Sequence, residues 1–330
     1  MLQRGFGQKH GKHHYVWVYE KSKEPAWTST YDFGADKHFF SHEGDASADN
    51  TLTAFENRIQ NKIRKWRAME DKSEVPSCDV APFLSHLEMR SLFLREEISN
   101  TAQRYIDELD AVFGNQRQYT EFLKRMFKSR PDVIEKELEN RDFPAELREQ
   151  AISYLQFLPQ EIIDNQASDI SRKAKIMLDG FKEKIVDAAK EGQLKAIVQG
   201  FDEIERTEKH KNLSFLVRRP EHPMILPDTC LAFFTKSGLT PFSQKGDVVD
   251  DVLIPLSENC YIHGYQKRPA EREHGVFLNV LASCSFKAFL AKADYDGFKK
   301  LAHRIGKNAR LISDKEIREI ASIDRIIANL

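Results

Sequence analysis

Leu52, Phe55, Ile59, Ile63 and Trp66 recur at three- and four-residue spacing, while Lys62, Arg64, Lys65 and Arg67 fall on the outer face. That period predicts an amphipathic helix starting near Asp49 or Thr51. Residues 68–82, with Glu70, Asp71, Lys72, Glu74 and Pro76, break it. Residues 82–113 are apolar on more than one side through Phe83, Leu84, Leu87, Leu92, Leu94 and Ile98, which predicts the central helix of a bundle, stopped by Gly114-Asn115. Further helices are predicted over 119–128, from Pro131, and from Pro144 to Pro159. Pro144 suits a first helical position, where its missing N–H costs nothing. A helix over 160–191 follows, and Gly192 separates it from Leu194, Ile197, Val198, Phe201 and Ile204.

At both ends of the chain the period shortens. Residues 13–19, HHYVWVY, are aromatic and β-branched and predict a strand that returns over 27–31 after a turn at 21–25. After Lys211, residues 213–217 and 224–226 predict a hairpin around Arg219-Pro220-Glu221-His222. Val252-Leu253-Ile254 and residues 260–265 predict two more strands, 277–283 a helical turn and 286–291 a last strand. Residues 264–275 are polar and predict a mobile loop. Two helices close the chain, the last opened by a capping box at Ser313 and Glu316. The pattern predicts an α+β fold, a large helical middle packed on a small antiparallel sheet formed by the N- and C-terminal parts. Residues 13–40 would lie beside 213–290. The chain reads as a single domain over 1–330, with N-terminal strands and loop in 1–48, helices in 49–211, a β-rich region in 212–291 and closing helices in 292–330.

Composition narrows the function classes. The chain has 330 residues, 41% of them hydrophobic, enough for a sizeable core without staples. Its net charge of −1 supplies no global field toward nucleic acid or a membrane, so nucleic-acid binding would use only a local basic face. Cys78, Cys230, Cys260 and Cys284 lie far apart with no CxxC, which argues against a disulfide framework or a zinc ribbon and for a reducing compartment. With no apolar run near the ~20 residues of a membrane span and no secretory h-region, a cytoplasmic protein with no membrane partner is expected.

Four pieces of the chain resemble the bacterial domain-of-unknown-function family numbered 4238. Leu2-Gln3-Arg4-Gly5-Phe6 followed by Trp17-Val18-Tyr19-Glu20-Lys21 is similar to its opening pair. Ala35-Asp36-Lys37-His38-Phe39-Phe40-Ser41 is similar to its acidic, aromatic loop, and Phe83-Leu84-Ser85-His86-Leu87-Glu88-Met89-Arg90 to its helix with a polar residue four before an arginine. Residues 215–229 and Ile254-Pro255-Leu256-Ser257 resemble its strand, turn and Pro-Leu-Ser. The chain departs from the family at Pro227 and Thr229-Cys230. The family's His-Tyr-Val-Pro opening would fall before Met1. The resemblance therefore implies a start upstream of Met1 and leaves Leu2 and Phe6 with little to cover them; the other reading has residues 8–12 filling that groove. No settled activity comes with the family.

Candidate chemistry rests on a few side chains. His86 and Arg90, four apart, share a helix face and suit proton transfer beside an anion-holding fork, or a pair that ties down another helix. Asp228 ends an apolar strand, as a carboxylate facing a crevice or as a turn cap. Asp36 sits between aromatic anchors and Glu56 beside Phe55. These five are the candidate catalytic set. Asn279, Lys62 and Lys65 are candidate binding residues. His10, His13, His14, His38 and His42 match no zinc spacing, so no metal site is assigned. No phosphate-binding, dinucleotide-binding or nucleophile-elbow motif occurs, and nothing specifies a cofactor. Two functions remain: an enzyme acting on a phosphate-bearing substrate, nucleic acid included, with bacterial defence or a toxin effector as its setting; or a non-catalytic module binding a ligand or protein in the same cleft.

Overall fold

The computed structural model describes residues 2–33, 45–158, 160–200, 204–243, 247–267 and 274–329. Asp36, His38 and His42, and residues 268–273 of the expected mobile loop, lie outside the described residues. The elements in chain order begin with β1 (Gln8–His10), β2 (His13–Glu20), β3 (Ala26–Ser29), α1 (Ser47–Ala68), β4 (Glu74–Val75), α2 (Ser77–Arg90) and α3 (Leu92–Phe113). The helical middle continues with α4 (Gln116–Ser129), α5 (Pro131–Asn140), α6 (Ala145–Gln156), α7 (Gln160–Val198) and α8 (Ile204–Lys211). Then follow β5 (Ser214–Arg218), β6 (Leu226–Pro227), β7 (Ala232–Thr235), β8 (Gly238–Thr240), β9 (Val249–Ser257), β10 (Cys260–Tyr265), α9 (His274–Cys284), β11 (Ala288–Ala291), α10 (Asp296–Ala302), α11 (Asp314–Ile320) and α12 (Ile323–Asn329). The fold is α+β with antiparallel sheets.

The chain divides into two compact units. One comprises Met1–Glu96 and Lys190–Arg310, the other Glu97–Ala189 and Leu311–Leu330. The first unit holds all the strands among the described residues, in two sheets where the pattern predicted one. In the first sheet β2 pairs with β1, β3 and β11, and β11 with β6. The pairing of Val18 with Leu290 joins the two ends of the chain, as expected. The second sheet runs in the order β4-β5-β10-β9-β7-β8. The stripe on α1 is buried as its period requires, from Leu52 to Trp66. Leu2 and Phe6 are buried in the same core, which overturns the expectation that they lie uncovered.

Four local expectations are corrected. Residues 213–217 and 224–226 form no hairpin: β5 pairs with β10 and β4, while β6 pairs with β11. The Arg219 guanidinium draws the chain away from β5 by donating to the carbonyls of Arg67, Met69 and Asn259. The helix predicted over 82–113 starts earlier and breaks at Ser91, whose backbone is extended. The Gln193 side-chain amide takes up the carbonyls of Met89 and Ser91 left at that break, at 2.7 and 3.4 Å. Gly192 does not end a helix; α7 runs through it. A single helical glycine costs about 1 kcal/mol, which the burial of Leu194 and Ile197 just beyond it offsets. Arg67, read as an outer-face cation, instead turns inward to the Leu256 carbonyl, and burial lowers its pKa.

In the second unit Tyr119, Phe122, Ala167 and Ile327 form a small core. Asn115 caps α4 by accepting from the Gln118 amide, and the capping box at Ser313 and Glu316 forms as its spacing predicts.

Gly264 gives a direct test of the second sheet. It lies opposite Phe215 on β5 and Val252 on β9, and a methyl group there would meet the Phe215 ring at 2.5 Å and a Val252 methyl at 2.6 Å. Gly264→Ala is expected to destabilise the chain by about 1–3 kcal/mol in urea unfolding. An unchanged midpoint would contradict this register.

Candidate functional site

Phe55 and Glu56 are neighbours on α1, and His86 and Arg90 lie one turn apart on α2. The Phe55 ring stacks on the His86 ring at 4.7 Å and 24°, and Phe83 lies beyond at 6.5 Å and 15°. Arg58 sits over the outer face of Phe55 at 5.1 Å. The imidazole is therefore part of an aromatic stack, and none of its surface is exposed. Glu56 Oε1 forms an ion pair with Arg90 Nη1 and lies 3.8 Å from His86 Nε2. Unlike His86, Glu56 and Arg90 keep 29% and 41% of their side chains exposed, so solvent and solutes reach the ion pair. Burial, helped by the charge of Arg90, lowers the His86 pKa well below its ordinary 6.5. The ring is neutral at physiological pH.

Asp228 lies after β6, where the chain leaves the first sheet and reaches β7 of the second within the four residues 228–231. Its carboxylate accepts three consecutive backbone N–H groups, from Phe286 and Lys287 at 2.7 Å and from Ala288 at 3.0 Å. Its own N–H donates to the Ala288 carbonyl at 3.0 Å. Burial raises the Asp228 pKa and the donated N–H groups pull it back. Thr229 Oγ1 donates to the Cys284 carbonyl at 3.0 Å. Cys230 then takes a left-handed backbone conformation, φ +67°, which a residue with a Cβ adopts only at a cost of about 1 kcal/mol. Burial pushes its thiol up to about 11; Arg90 opposes that shift, and Asp228 and Glu56 add to it.

The charges of Arg90, Asp228 and Glu56 are felt at the Cys230 thiol, whose Sγ lies 3.9 Å from the Asp228 carbonyl, and His86 lies beside Glu56. Of the five residues expected to be catalytic, Glu56, His86 and Arg90 are in direct reach of one another, and Asp36 is outside the described residues. The expected binding residues have other partners. Lys62 pairs with Asp79 at 2.5 Å, Lys65 is exposed on α1, and Asn279 donates to the Gly275 carbonyl of its own helix at 2.8 Å. Among the described residues, no group of three or more His, Cys, Asp or Glu side chains is arranged to hold a metal ion.

Sequence reasoning passed over two features. One is Cys230, signalled only by the Pro-Asp-Thr turn that precedes it. The other is a buried network in which Glu88 Oε2 lies 3.1 Å from His210 Nε2, while Glu88 Oε1 accepts the Ser243 amide and hydroxyl at 3.1 and 3.0 Å. Its signal was a glutamate inside the apolar run of α2, since a buried carboxylate requires partners. Comparison with protein families, curated proteins and solved structures finds no match to this chain.

The neutral His86 has a consequence for stability. Below pH 6.5 the unfolded chain binds a proton at this imidazole that the folded chain refuses, so stability falls as pH falls. The expected loss from this group is about 1.4 kcal/mol per pH unit below that point. Urea unfolding of the wild type and His86→Phe at pH 7 and pH 5 measures it. The variant should lose less stability over this interval, and equal losses would show that His86 is charged in the fold.

Proposed function

We propose that this protein is a non-catalytic binding module for a phosphate-bearing ligand, with Arg90 as the group that receives the anion. The observation that carries this reading is the partly exposed Glu56–Arg90 pair beside the buried, neutral His86 imidazole. An arginine fork suits a phosphate as well as it suits a carboxylate. A ligand phosphate would displace Glu56 from Arg90, and the stacked Phe55 and His86 rings would hold the floor of the site fixed while the pair exchanged. The catalytic reading, an enzyme acting on the same class of substrate, draws less support from the geometry. It asks His86 to carry a proton where burial and the Arg90 charge disfavour it, and Asp228 to leave three backbone amides.

Thermal unfolding with inorganic phosphate, ATP or sodium chloride at matched ionic strength tests the proposal. Phosphate or ATP should raise the Tm of the wild type. Arg90→Ala should remove that rise, and Glu56→Gln, which removes the competing charge, should give a larger rise at the same ligand concentration. A response untouched by Arg90→Ala would overturn the site. Turnover of a phosphate ester that is lost in His86→Phe would replace the binding reading with the catalytic one.

A further inference from the structure

Helix α7 covers only part of its apolar surface. Ile163, Ala167, Leu178 and Ala189 are buried, and Ala167 joins the small core of the second unit. Polar contacts fix the same side: Lys182 reaches Asp107 and Asp110 of α3 at 3.0 and 3.1 Å, and Thr120 of α4 donates to Asp164 at 3.0 Å. Beside this face runs a second line, Ile170, Ala174, Met177, Phe181, Lys184 and Ala188, spaced by four, three, four, three and four residues. That alternation is the seam of a coiled coil. No member of the line is buried; Ile170, Met177 and Phe181 stand 41%, 58% and 52% exposed. Exposed apolar residues are common singly, but a line of them at seam spacing marks a surface made for a partner.

The charges beside the line indicate which partner. Lys173 and Asp187 border it on the side away from the buried face, seven residues either side of Gly180. Both are exposed, and among the described residues neither forms an ion pair. We propose that α7 is a self-association surface, on which two copies of this chain pack antiparallel about a two-fold axis at Gly180. That register seats Phe181 on Met177 of the other copy and Ile170 on Ala188, and symmetry makes the Lys173–Asp187 pair twice. A Cβ at Gly180 would touch nothing within the chain, so the axis is open to a second helix. The stem of Lys184 would lie along Ala174 of the other copy with its ammonium in water. Asp169 and Glu191, which the register also sets opposite each other, are already held by Arg172 and Lys195. A parallel pair would stack Lys184 on Lys184 and leave Lys173 and Asp187 apart. This surface uses none of the residues around Arg90 and stands or falls separately from the ligand site proposed there.

Sedimentation velocity of the full chain over a range of about 1 to 200 µM tests the proposal. A two-helix seam falls at the small end of stable interfaces, so a dissociation constant on the order of 10 µM is expected. Phe181→Glu, at an exposed position outside the core, should weaken association about tenfold or more. Lys173→Asp should weaken it by setting like charges opposite each other, and Lys173→Asp combined with Asp187→Lys should restore it. Circular dichroism checks that each variant keeps its helices. A chain that stays monomeric throughout, or a dimer indifferent to Phe181→Glu, would overturn the proposal. A dimer indifferent to Lys173→Asp, or not restored by the double exchange, would overturn the antiparallel register. A monomer that binds phosphatidylcholine–phosphatidylglycerol vesicles through Phe181 would give the line to a lipid surface and overturn the proposal as well.

Discussion

The first unit depends on a short crossing. Between Pro227 and Ala232 the chain leaves one sheet and enters another, so backbone groups at that point have no strand neighbour to bond. Such groups must find partners when buried. Asp228 ties the crossing down: its own N–H donates to the Ala288 carbonyl, and its carboxylate accepts the amides of Phe286 and Lys287, between α9 and β11, and of Ala288 at the start of β11. Thr229 ties the crossing to the last residue of α9, and the left-handed Cys230 makes the turn that points Leu231 and β7 into the second sheet. The same turn carries the Cys230 thiol in among Arg90, Asp228 and Glu56. Position and chemistry at the candidate site thus have one cause.

Polar groups deeper in the unit follow the same logic. Glu88, 2% exposed, is held by His210 and Ser243, and Asp251 on β9 is held by His263 on β10 at 3.0 Å. Removing one member of such a pair leaves a buried charge unmatched and costs about 3–5 kcal/mol, whereas replacing the whole pair by apolar groups is often neutral. These pairs therefore fix which helix and which strand lie together more than they add to total stability. His210 also stacks on Phe233 at 5.7 Å and 8°, much as His86 stacks on Phe55. In both places the imidazole also offers a flat surface for packing.

What the sequence made legible follows period and local chemistry. The stripe from Leu52 to Trp66, the β2–β3 return, the Ser313–Glu316 box and the pairing of the chain's two ends all stand in the structure, because each is written in spacing or in a local hydrogen bond. The hairpin expected at 213–226 does not, because β5 and β6 find partners far away in sequence and the deciding group, Arg219, acts on carbonyls of residues 67, 69 and 259. The break at Ser91 escaped notice for a like reason: its carbonyl partner, Gln193, is about a hundred residues on. At the candidate site, the pairing of His86 and Arg90 on one face was readable from their spacing. The involvement of Cys230 was not, since its place is set by a backbone angle that a cysteine seldom adopts.

Amide hydrogen exchange on the wild type and Asp228→Asn addresses the crossing most directly. Asparagine keeps the size of the side chain but turns one acceptor oxygen into a donor, facing the amides of Lys287 and Ala288 or of Phe286. If the Asp228 carboxylate anchors the crossing to the segment that leads from α9 into β11, those three amides are strongly protected in the wild type. In the variant they exchange at least tenfold faster, and global stability falls by about 2–4 kcal/mol. Protection at 286–288 that is the same in both proteins, with unfolding unchanged, would contradict the account and return Asp228 to the list of residues whose purpose lies outside the fold.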